Sequence, residues 1–135
     1  MRINDKSLAY VLLRIAFGVN FAGHGLIRIY NGVGTFASTT AEHMAKSPLP
    51  HGLTISVGYA IPSLEAILGL TLILGVFTRI SLICGAVFMM ALTIGVTSNQ
   101  QWDIAGQQLL YSVVFFLLLF FLDENTLSLD NALRR

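Results

Sequence analysis

At 135 residues, with 55% hydrophobic and 11% charged side chains, the chain is far more apolar than a soluble domain, where about 25% of residues are charged. Its net charge of +1 gives no basis for binding nucleic acid. A lone cysteine, Cys84, excludes an intrachain disulfide, a Cys-x-x-Cys pair, a covalent c-type haem and an iron–sulfur site.

Four apolar segments, Leu8–Tyr30, Leu53–Phe77, Ile80–Ser98 and Ile104–Leu122, are each long enough to cross the hydrocarbon layer as a helix. They occupy most of the chain and leave no room for a soluble domain. The expectation is one domain over residues 1–135, an all-α membrane protein built as a four-transmembrane-helix bundle. The basic residues before the first segment resemble the start of a signal peptide. Arg14 interrupts the apolar run early and no small-residue cleavage site follows, so this segment is read as an uncleaved first helix.

On that first helix Tyr10, Arg14, Phe17, Phe21, His24 and Arg28 fall within an arc of about 80° at 100° per residue. Gly18 and Gly25 border the arc and invite close approach by another helix. Arg14 lies deep enough to snorkel back to the near interface, and His24 sits about 9 Å in from the opposite one. The loop from Asn31 to Gly52 is longer than a simple connection requires. Its middle, Thr35 to Lys46, reads as an amphipathic helical turn on the membrane surface, with Phe36, Thr40, Met44 and Leu49 facing inward, as a lid would lie; a solvated spacer is the alternative.

The second apolar segment carries the most informative residue. Glu65 falls near its middle, where a carboxylate costs about 2.5–3.5 kcal/mol on insertion scales and needs a partner, a proton or a ligand. Gly58, Pro62, Gly69 and Leu72 share its face, and Pro62 would free the Gly58 carbonyl one turn earlier. The expected partners of Glu65 are His24, Tyr111 or a bound ligand, with the carboxyl substantially protonated. A structural pair with Arg14 or His24 is the competing reading. The second and third helices should meet in a tight turn at Thr78–Arg79.

The third helix adds Thr93 and Thr97, and the fourth adds Gln108, Tyr111 and Ser112 on one face. These share a depth with His24 and Glu65, which suggests a polar pocket beneath the long loop. Each Thr or Ser could equally bond the i−4 carbonyl of its own helix. The candidate catalytic residues are therefore Glu65 and His24, and the candidate ligand-binding residues Arg14, Arg28, Gln108, Tyr111, Ser112 and Thr93. No metal site is expected, and a single intramembrane histidine argues against bis-histidine haem.

Arg2, Lys6, Arg14, Arg79, Arg134 and Arg135 fall on one side of the expected membrane, and Arg28 and Lys46 on the other. The positive-inside rule then places both termini in the cytoplasm.

The stretch LLRIAFGVNFAGHGLIRIY, with Arg14, Gly18, Phe21, His24, Gly25 and Arg28, resembles the first helix of the DoxX family. PSLEAILGLTLILGVFTRI resembles its second, through Glu65, Gly69, Leu72, Gly75, Thr78 and Arg79. The tail Leu127-Ser128-Leu129-Asp130 is similar to the family's Ser-Leu-Asp ending. The resemblance implies a small four-helix protein of the bacterial or archaeal cytoplasmic membrane. Relatives include a membrane subunit of thiosulfate:quinone oxidoreductase. It therefore also implies a quinone-linked redox subunit, with no intrinsic cofactor, a quinone as ligand, and lipid, a redox partner protein or further copies of itself as partners. The alternatives are a non-catalytic membrane scaffold or assembly subunit and a binder or carrier of a lipid or hydrophobic small molecule.

Overall fold

The computed structural model describes residues 4–133. Its four long helices are α1 (Asp5–Tyr30), α3 (His51–Leu74), α4 (Thr78–Ser98) and α5 (Trp102–Phe120), all long and apolar enough to cross a membrane. A shorter helix, α2 (Val33–His43), lies between the first two spans. A 3-10 turn at Leu122–Glu124 and a short helix α6 (Leu129–Leu133) follow the last span. Four antiparallel crossings bring the start of α1 and the segment after α5 to one end of the bundle, here the termini end. There the Ser7 hydroxyl donates to Glu124 (2.6 Å). The opposite end, beneath α2, is the loop end.

The closest packing is between α1 and α3, and small residues make it possible. A Cβ on Gly25 would lie 2.6 Å from the Pro62 carbonyl oxygen, and one on Gly69 would lie 2.6 Å from the Ala22 Cα. In lipid, where apolar burial gives little drive, such backbone contact is what holds helices together. Gly58 serves a different contact from Gly69. A Cβ there would meet the Ala37 Cα of α2 at 2.7 Å, so its missing side chain makes room for the loop helix.

The aromatic core lies between α1 and α5. Phe17 meets Phe115 edge-on with centroids 4.8 Å apart, and Tyr111 lies 5.9 Å from both Phe17 and Phe21. Leu118 of α5 adds to it, and Leu68, Leu72, Leu82 and Met89 complete it from α3 and α4.

The turn after α3 comes earlier than expected. Gly75, at φ 66°, ends the helix in the left-handed region that glycine adopts without a Cβ penalty, and Thr78 already begins α4. The loop helix also starts and stops slightly before the expected Thr35–Lys46. Ala37, Ala41 and Met44 are its buried positions, and Phe36 is half-buried, so the face that packs inward is built mainly of small residues.

Candidate functional site

The tight α1–α3 contact decides what Glu65 can reach. It sets Ala66 against Gly25, so the Glu65 backbone lies about half a turn below that of Arg28. Helical side chains lean toward the N-terminus of their helix. The long Arg28 side chain therefore reaches back along α1 and engages Glu65, its Nη1 donating to both carboxylate oxygens. The Glu65 side chain is 10% exposed and that of Arg28 is 30% exposed. From α2, the Phe36 ring closes over the guanidinium, with the Arg28 Cζ 4.5 Å from its centroid, a cation–π contact.

Arg28 thus takes the place expected for His24 or Tyr111 beside Glu65. His24 and Tyr111 make no hydrogen bond to it; His24 is exposed, and Tyr111 packs among Phe17, Phe21 and the other core rings. His24 precedes Arg28 by one helical turn, so its own lean carries it away from the level of Glu65 and toward the middle of the span. Arg28 is the residue whose role sequence reasoning underestimated. The signal was its place on the Tyr10–Arg14–His24 arc together with its reach.

α2 is tied down at its C-terminal end. The Asn99 side chain, in the α4–α5 turn, donates to the His43 carbonyl (2.7 Å), and the Met44 methyl reaches toward Gly95. The loop helix thus covers the ion pair and bridges α3 to the α4–α5 turn.

The other polar candidates do not join this pair through hydrogen bonds. Thr93 donates to the Met89 carbonyl (2.8 Å), Thr97 to the Thr93 carbonyl (2.6 Å) and Ser112 to the Gln108 carbonyl (3.0 Å), each within its own helix. Gln108 is buried, and its side-chain oxygen has no partner. Among the described residues no group of three or more His, Cys, Asp and Glu side chains is placed to hold a metal ion.

Arg14 belongs to a different site, at the termini end. It is 2% exposed rather than snorkelling, and it does not meet Glu65. Its Nη1 donates to the Asn125 side-chain oxygen (2.8 Å) and its Nη2 to the Leu127 carbonyl (2.8 Å). Asn125 in turn donates to the Thr78 hydroxyl (3.1 Å). The guanidinium occupies the space where any residue other than glycine at position 75 would place its Cβ. The segment after α5 is therefore a strap, bound to α1 by Arg14 and to the α3–α4 turn by Asp130. A cavity of about 640 Å³ lies between this strap, α1 and α3, and a second of about 320 Å³ lies between α1 and α5 beside Tyr10.

Four apolar spans, with a buried carboxylate paired to a partly exposed guanidinium, define a multi-pass membrane protein. The sequence profile of the DoxX family matches residues 9–98, from the start of α1 to the end of α4. The chain belongs to that family. Neither a curated protein nor a solved structure matches it significantly.

Proposed function

We propose that this DoxX protein is a non-catalytic membrane subunit, a scaffold whose first three helices are fixed by the Arg28–Glu65 pair. The observation that carries this reading is the mutual engagement of the two charges beneath Phe36, which leaves neither of them to a substrate. Thr93 and Ser112 are likewise spent within their own helices. Removing one member of a buried pair leaves the other uncompensated in a low-dielectric setting, so both are retained for structure. Thermal unfolding of Glu65→Gln in detergent tests this: the scaffold reading expects a marked loss of stability.

A quinone-linked redox subunit is the second reading, favoured by the buried, unpartnered side-chain oxygen of Gln108 and by the exposed ring of His24. An acceptor and a titratable donor suit a quinol hydroxyl and a quinone carbonyl. In this reading the electrons come from a partner protein. Extraction of the purified protein tests this reading through co-purified quinone, and its failure leaves the scaffold reading standing. Residence in the bacterial or archaeal cytoplasmic membrane with both termini inside is part of the proposal, from the distribution of lysine and arginine.

A further inference from the structure

Arg14 is a buried cation whose two terminal nitrogens bond to neutral groups, a side-chain amide oxygen and a backbone carbonyl. Its third donor position, Nε, is buried and has no partner. The same side chain lines the 640 Å³ cavity between α1, α3 and the strap. Its lining is mixed: Arg14 of α1 and Thr126, Ser128 and Asn131 of the strap contribute polar groups, while Ile15 and Ile73 on the helices and Leu127 and Leu129 on the strap contribute apolar ones. Ile15 is exposed at the bundle surface, so the apolar wall continues onto the face that meets hydrocarbon.

We infer that this cavity is a binding site for an anionic phospholipid, with the phosphate held toward Arg14 and the strap and an acyl chain laid along the α1–α3 wall. Charge and polarity both select this occupant. A guanidinium whose hydrogen-bond partners are neutral oxygens favours a phosphate oxyanion over a neutral headgroup. The apolar wall leads directly into the bilayer, which a soluble anion would not require. Arg14 lies nine residues into α1, about 13 Å along its axis, so the phosphate would sit drawn in toward the bundle beneath the strap.

Native mass spectrometry of the full-length protein, incubated with equal amounts of phosphatidylglycerol and phosphatidylcholine in detergent, tests the assignment. The expected result is one phosphatidylglycerol retained per chain, preferred about fivefold over phosphatidylcholine, as one added basic contact implies. Arg14→Gln should abolish the preference. Because that variant also loses the strap contacts, Ala132→Trp provides a second arm, adding bulk to the cavity lining without removing the Arg14 bonds. A folded Ala132→Trp protein should lose the adduct. Equal retention of the two lipids, or a preference unchanged in Ala132→Trp, would overturn the proposal. Displacement of the lipid by glycerol 3-phosphate at similar concentration would assign the cavity to a soluble phosphate ester and overturn the lipid.

Discussion

Asp130, on the terminal strap, caps α4 from 52 residues away, its two carboxylate oxygens accepting from the backbone N–H groups of Phe77 (2.7 Å) and Thr78 (2.7 Å). Phe77 holds a left-handed conformation at φ 49°, which costs a residue with a Cβ about 1–2 kcal/mol. The carboxylate satisfies two otherwise free donors at a helix N-terminus and places negative charge where the helix dipole favours it. The Gly75 carbonyl at the end of α3 completes the join by accepting from the Asp130 N–H (2.9 Å).

Asp130→Ala should therefore destabilise the protein by about 1–2 kcal/mol, the upper range for losing a cap. Asp130→Asn, which keeps one acceptor oxygen, should lose less. Thermal unfolding in detergent, followed by circular dichroism, orders the three proteins. Equal stability of wild type and Asp130→Ala would mean the strap does not cap α4.

Close approach of α1 and α3 makes a second prediction. Gly69→Ala places a methyl against the backbone of Ala22 and should cost about 1–3 kcal/mol, as overpacking does. Gly23, on the same helix as Ala22 but with open space at its Cβ position, is the control. Gly23→Ala should leave the melting temperature unchanged or slightly raised. Equal effects at the two positions would contradict the packing described.

The four spans were legible in the sequence because apolar runs of that length have few other uses, and the boundaries shift by only two or three residues. Glu65 was legible as the residue needing a partner, but the partner was not. Depth counted along straight helices put His24 nearest, whereas the Gly25–Ala66 contact and the N-terminal lean of helical side chains bring Arg28 to it. The strap was beyond reach for a different reason. Asn125, Leu127 and Asp130 form no periodic pattern, and their bonds to Arg14, Phe77 and Thr78 join residues distant in sequence. The similarity of the Ser-Leu-Asp tail marked the segment without saying what it does.

Topology gives a third prediction, on a Cys84→Ser background. Cysteines introduced at Ser47, beside α2, and at Asp123, after α5, should react with a membrane-impermeant thiol reagent from opposite faces of the membrane. The distribution of basic residues predicts that Ser47→Cys labels in intact cells and Asp123→Cys labels only after lysis. The reverse pattern would invert the orientation, and labelling of both from one face would break the four-span fold.

The central claim, that Arg28 and Glu65 form a structural pair, is tested most directly by a double-mutant cycle on thermal stability. Arg28 is partly exposed, so its pairing is screened to some degree and the coupling should fall below the 3–5 kcal/mol seen when fully buried pairs are broken. Glu65→Gln and Arg28→Gln should each destabilise the protein, while the double variant recovers part of the loss, with a coupling of about 1–3 kcal/mol. Additive losses with no coupling, or a Glu65→Gln protein as stable as wild type that loses a quinone-dependent activity, would contradict the scaffold account.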